Sequence, residues 1–188
     1  MNYLLSFDNK IFLWLNHWAG QSGLADALIK FLAHDLPYVV VVGFIVFWFW
    51  QVGWRRVLVE GALSGFLARG VLVEVVREVL PRSRPFEVFT VVQLITKGVE
   101  KSFPSGHASA LFALAFSVYF YSPKWGRWLG LVFFVSVLAR VVAGVHYLSD
   151  ILAGMVLGWL SAWIVKQYAT QLVDGILSVW DKLNFWKK

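Results

Sequence analysis

The stretch LPYVVVVGFIVFWFWQVGW, running from Leu36 to Trp54, carries no charged residue. At about 1.5 Å per helical residue it is long enough to cross a hydrocarbon core roughly 30 Å thick. A segment of that kind belongs inside a bilayer, and the rest of the chain fits around it. Val57 to Leu80 is also long enough to span, but it holds Glu60, Arg69, Glu74, Arg77 and Glu78. Ionisable groups in a span face the bundle interior or water, so this helix is expected to line a site. Ala108–Tyr121, Trp128–Val145 and Ile151–Val165 are three further apolar helices.

Composition supports the same reading. Of 188 residues 59% are hydrophobic and 15% charged, against roughly 45–50% and 25% in soluble domains. Eleven Trp, sixteen Phe and six Tyr suit a protein with aromatic belts at two headgroup boundaries. The absence of cysteine excludes a disulfide framework, a thiolate zinc site and a cysteine nucleophile. The net charge of +6 is read as orientation against anionic lipid and attraction for an anionic substrate, with no nucleic acid as partner. Asp8 and Lys10 interrupt the first apolar run, so no cleavable signal peptide is expected.

At the N-terminal end, Phe7, Ile11, Trp14, Leu15 and Trp18 recur at helical spacing among Asn9, Lys10, Asn16 and His17. Leu172, Ile176, Val179, Trp180 and Leu183 alternate in the same way with Asp174, Asp181 and Lys182. Both stretches read as amphipathic helices lying in the interface. The expected architecture is therefore all-α, an integral-membrane bundle of five or six transmembrane helices with interfacial helices at each end. It forms a single domain over 1–188: interfacial helices in 1–34, a transmembrane catalytic core over 36–169 and an amphipathic helix in 170–188. Arg55, Arg56, Lys124, Arg127, Lys166, Lys182, Lys187 and Lys188 gather on one face, which the positive-inside rule makes cytoplasmic. The opposite face receives the long connection from Pro81 to Phe103 and the turn at Gly144–Asp150. A connection of that length in a compact domain points to function.

Three clusters meet on that second face: Arg77 with Arg84-Pro85, then Pro104-Ser105-Gly106-His107, then Arg140 with His146 and Asp150. Guanidinium groups grip phosphate through paired, planar hydrogen bonds. Ser105 can cap the helix that opens at His107, and Gly106 lets a ligand approach its positive end. His146 and Asp150 lie four apart, so on a helical turn the carboxylate can take the imidazole N–H and leave the other nitrogen as nucleophile or base. His107 arrives from another helix and can protonate a departing oxygen. The same imidazoles and carboxylate also suit a metal ion. Glu74 and Arg69 read equally well as a structural ion pair or as part of the site.

Arg77-x6-Arg84-Pro85, Pro104-Ser105-Gly106-His107 and Arg140-x5-His146-x3-Asp150 resemble, in order and spacing, the three-part signature of the type-2 phosphatidic acid phosphatase superfamily. The resemblance covers about Val57 to Leu160. It implies a metal-independent membrane lipid phosphatase with no cofactor, in which His146 forms a phosphohistidine, Asp150 orients it and His107 is the general acid. Arg77, Arg84, Ser105, Gly106 and Arg140 would hold the phosphate. The chain departs from the family's common pattern in carrying Arg77 for Lys and Ala139 for Ser.

Arg140 to Tyr147 resembles the undecaprenyl-diphosphate phosphatases among the small bacterial members, although that branch often places Asp where this chain has Gly106. The expected substrate is thus a polyprenyl diphosphate. Phosphatidylglycerophosphate, phosphatidic acid and lipid A are the alternatives within the family, and a non-enzymatic lipid-phosphate binder or transport protein the alternative outside it. The expected location is a bacterial inner membrane, with the active site on the extracytoplasmic side.

Overall fold

The structure, a computed structural model, describes residues 2–183. Among these residues there is no strand, and eight helical segments account for the architecture. Helix α1 covers Asn2–Asn16, and α2 runs unbroken over Gly23–Trp50. Helix α3 covers residues 55–79, the short α4 is Pro85–Val88 and α5 is Gly106–Tyr119. Helices α6, α7 and α8 are Pro123–Val142, Leu148–Tyr168 and Thr170–Leu183. By length and composition α2, α6 and α7 can each cross a bilayer, and α5 is a shorter apolar helix.

The long helix α2 differs from the expected boundary between 34 and 36. His34, Asp35 and a proline at position 37 look like a helix start, yet residues 31–35 form a π-helical turn that joins the two halves. The joined helix has 28 residues, or about 42 Å of rise. Lys187 and Lys188, which contribute to the orientation reading, lie outside the described residues.

The most extensive interface lies between α5 and α7, and small residues make it possible. A side chain begun at Gly154 would meet the Ser105 carbonyl oxygen at 2.7 Å, and one at Gly158 would meet the Ser109 carbonyl oxygen at 2.7 Å. Two helix backbones thus touch at that seam, with the N-terminal ends of both helices at the same end of the bundle. Around it Phe112, Phe133, Val137, Val141 and Ile151 form the core.

Helix α1 packs on α6 and α7 with its polar stripe inward. Asp8, Phe12 and Asn16 are buried, whereas Phe7, Trp14 and Trp18 are exposed. In lipid that arrangement is favourable, because apolar side chains are at no disadvantage outside and polar ones find partners inside. Asn16 donates to the Val92 and Val142 carbonyls, both at 2.8 Å, and so fastens the long loop to the end of α6. At the other end of the bundle α8 is held by Arg56, which pairs with Asp174 at 2.7 Å.

Candidate active site

The chain leaves α6 through a turn in which Gly144 has φ +84°, a conformation open to glycine and strained for other residues. A side chain there would also collide with the Val92 carbonyl oxygen at 2.7 Å. This turn delivers His146 to the start of α7, one helical turn before Asp150.

His146 is 2% exposed and its Nδ1 lies 3.3 Å from Asp150 Oδ2. The same oxygen accepts from the Ser102 hydroxyl at 2.6 Å and from the Tyr147 backbone N–H at 2.9 Å, while Oδ1 accepts from Arg82 Nη1 at 3.1 Å. With so many donors on it the carboxylate is fixed in place, and an Nδ1–H on His146 points the Nε2 lone pair into the site. Burial pushes His146 down to about 4 even though the Asp150 carboxylate pulls it upward. The imidazole is therefore neutral at pH 7, as a nucleophile requires.

Arginines crowd the space beyond Nε2. Arg84 Nη1 sits 3.4 Å from His146 Nε2 and donates to the Val145 carbonyl at 2.9 Å. Burial lowers Arg84 from its ordinary value, with Glu100 opposing the shift. Arg140, 2% exposed, donates from Nη1 to the Ala33 carbonyl in the π-helical turn at 2.6 Å. Among the described residues its Nε and Nη2 have no partner, and neither has the Nε of Arg77, whose Nη1 pairs with Glu74 at 3.1 Å. A buried guanidinium N–H without an acceptor is costly, so such groups mark a place where anionic oxygens belong.

The other wall is the start of α5. The Ser105 backbone N–H donates to the Asp150 carbonyl at 3.0 Å, joining the two helix starts, and its hydroxyl accepts from the Ala108 N–H at 3.4 Å. Gly106 is buried, and the guanidinium of Arg69 fills the place where a side chain would begin. His107 is half-buried, makes no hydrogen bond among the described residues, and lies in the electrostatic field of Arg140, Arg69, Lys97 and His146. The structure thus gathers Arg77, Arg84, Ser105, Gly106, His107, Arg140, His146 and Asp150 at one end of the bundle. Among the described residues no three His, Asp or Glu side chains converge as metal ligands would.

Three participants escape a reading of the sequence alone. Ser102 holds Asp150, and Arg82 bridges Asp150 to Asp8 Oδ2 at 2.8 Å while lying 3.5 Å over the Tyr147 ring. Asp8 in turn accepts from both the backbone N–H and the hydroxyl of Ser149. The one available signal was the i, i+4, i+8 spacing of Asp8, Phe12 and Asn16, which puts two polar side chains on one stripe of the helix. These contacts bring the N-terminal helix, which lies outside the stretch that carries the resemblance, into the support of the site.

The family model of the PAP2 superfamily matches residues 61–174 of this chain. The chain is 30% identical over 177 residues to the bacitracin transport permease protein BcrC of Bacillus licheniformis, covering 92% of this chain and 87% of that one. It is 28% identical over 163 residues to the putative undecaprenyl-diphosphatase YbjG of Escherichia coli strain K12, covering 85% and 82%. The crystal structure of Aquifex aeolicus LpxE shares the fold, with a TM-score of 0.71 at 23% identity over 85% of this chain and 94% of that one.

Proposed function

The chain belongs to the PAP2 superfamily, and from that premise we propose that it is a membrane phosphatase that converts undecaprenyl diphosphate to undecaprenyl phosphate through a phosphohistidine on His146. The observation that carries the proposal is the buried His146, held by Asp150 at 3.3 Å and with Arg84 Nη1 3.4 Å from its Nε2, in the electrostatic field of Arg140, whose Nε and Nη2 have no partner among the described residues.

In the first step Nε2 of His146 attacks the terminal phosphorus, and the phosphorus–oxygen bond to the lipid phosphate breaks. His107 gives its proton to the departing oxygen. Charge that spreads over the equatorial oxygens meets Arg77, Arg84, Arg140 and the N–H groups at the start of α5. The phosphorylated imidazole is cationic, and Asp150 balances it. Water then attacks the phosphorus with His107 as base, and His146 leaves as a neutral imidazole.

Support for a lipid with a thin tail comes from a groove of about 510 Å³ between α2, α3 and α5, floored by Gly61, Gly65 and Ala110. Its upper end lies one helical turn below Arg69 and His107, where a tail would hand its phosphates to the site. The Escherichia coli relative is named for the same substrate. The relative from Bacillus licheniformis is named a transport permease. A protein that only bound or carried the lipid would need the arginines but neither His107 nor the His146–Asp150 pair. We place the reaction on the extracytoplasmic side of a bacterial inner membrane, since Arg55, Arg56, Lys124, Arg127 and Lys166 occupy the opposite end.

The test is phosphate release by the purified protein in detergent with EDTA, offered undecaprenyl diphosphate, phosphatidylglycerophosphate and phosphatidic acid in parallel. The polyprenyl substrate is expected to win, with an acid-labile phosphoenzyme that His146→Gln abolishes. His107→Ala should lower kcat by about 10²- to 10⁴-fold. Preference for a glycerolipid would move the function to phospholipid synthesis, a metal requirement would overturn the metal-free mechanism, and normal turnover by His146→Ala would sink the nucleophile assignment.

A further inference from the structure

Two cations beside the site have no role in the steps given above: Arg69 and Lys97. Arg69 sits in the π-helical turn Leu67–Leu72 of α3. Among the described residues it has neither a hydrogen bond nor an ion pair. The acids of its own helix are engaged elsewhere, Glu60 with Arg56 at 3.1 Å and Tyr121 at 2.7 Å, and Glu74 with Arg77 at 3.1 Å. The ion-pair role open to it in the sequence is therefore not taken up. Arg69 is exposed, so its charge is open to a ligand at this end of the bundle. Its guanidinium is also directed, because it fills the space left by the missing side chain of Gly106. Lys97 comes from the long loop, half-buried and close to Arg140, Arg84 and Arg69, with Glu100 as the nearby acid. Glu100 is itself shared with Arg84 at 3.4 Å.

The cations are not spread evenly. Arg84 reaches His146, with Nη1 3.4 Å from Nε2, whereas the Arg69 guanidinium lies at Gly106, the neighbour of His107, which also feels the charge of Lys97. In-line displacement puts the nucleophile and the leaving group on opposite sides of phosphorus. Arg69 and Lys97 thus stand on the side from which the leaving group departs, and the apolar groove ends one turn below Arg69.

We propose that Arg69, admitted by Gly106, and Lys97 form a second phosphate subsite that holds the lipid-linked phosphate of a diphosphate substrate and makes the enzyme selective for diphosphates over monophosphates. This rests on the phosphoryl-transfer reading above. When the bond to the terminal phosphorus breaks, its electron pair goes to the bridging oxygen, which takes a proton from His107. The product is a lipid monophosphate, and its charge rests against Arg69 and Lys97. A monoester places no anionic group there and gains nothing from them.

The experiment compares kcat/KM for one isoprenoid tail carrying either a diphosphate or a monophosphate. Arg69→Met should lower the diphosphate-to-monophosphate ratio at least tenfold, Lys97→Met should lower it by less, and Arg69→Lys should recover part of it. Gly106→Ala should lower the ratio too, since the added methyl displaces only the flexible end of Arg69. Inhibition by inorganic pyrophosphate should weaken at least tenfold in Arg69→Met, and inhibition by orthophosphate much less. Melting temperature and monodisperse elution identify variants that have failed to fold, and Arg69→Lys then stands in for Arg69→Met. An unchanged ratio, with both substrates falling together, would overturn the subsite and leave Arg69 to bilayer headgroups. Wild-type protein that turned over monophosphates but no diphosphate would instead overturn the substrate reading. Pyrophosphate inhibiting no better than orthophosphate would then remove the subsite as well.

Discussion

At pH 5 the His146 imidazole should still be about nine-tenths neutral, because burial in the turn between α6 and α7 pushes it down to about 4. An ordinary histidine, at about 6.5, would be about 3% neutral at the same pH. The difference corresponds to about 3 kcal/mol in favour of the neutral form, a large share of it the desolvation of a side chain 2% exposed. The same quantity enters stability. Below pH 6.5 the unfolded chain takes up a proton that the folded one refuses until about pH 4, so the native state loses up to about 3 kcal/mol across that window and none above it. NMR of the detergent-solubilised protein labelled at its four histidines, with His146→Gln to assign the signal, reads the titration directly and is independent of the substrate's own ionisation. A His146 resonance that titrates near pH 6.5 would refute the argument that burial outweighs the Asp150 carboxylate. The kinetic counterpart is a nucleophile that sets no acid limb in kcat/KM above about pH 5.

Ser102→Ala removes a 2.6 Å hydrogen bond to a buried carboxylate, an interaction of about 1.5–3 kcal/mol. Because Ser102 positions Asp150 without touching substrate, kcat should fall about tenfold or more with KM little changed; a rise in KM alone would show that it binds substrate. Gly158→Leu drives a bulky side chain into the Ser109 carbonyl and the Ala113 N–H across the α5–α7 seam, both 2.7 Å from its first atom. It should destabilise the bundle by about 3 kcal/mol, the upper end of overpacking changes, read as loss of folded protein in a detergent thermal melt, and an unaltered melt would disprove backbone contact at the seam.

What the sequence made legible was the chemistry carried by short spacings. His146 and Asp150 meet because they are four apart on one turn, Ser105 caps because it precedes a helix, and Arg140 closes an apolar helix whose end must sit at the boundary. What stayed hidden were partnerships across the chain. Ser102 reaches Asp150 over 48 residues and Asp8 reaches Ser149 over 141, and no local pattern reports such distances. The uncharged stretch begins at Leu36, so a span read from charge alone starts after Asp35. The π-helical turn carries the chain through instead, and its Ala33 carbonyl takes a hydrogen bond from Arg140. Arg69 was open to two readings for a similar reason: whether a guanidinium has a partner depends on which neighbours are already engaged.

The Asp8 clasp has a consequence for how the protein is made. Asp8 leaves the ribosome 141 residues before Ser149, the group that satisfies both of its oxygens. Until α7 has been made and packed against α5, Asp8 lacks Ser149 and Arg82 lacks Asp150. The last strong contacts to form are then the ones that orient the nucleophile, so the site is completed by the same event that closes the bundle, and an incompletely assembled chain has no working site among the bilayer's lipid phosphates.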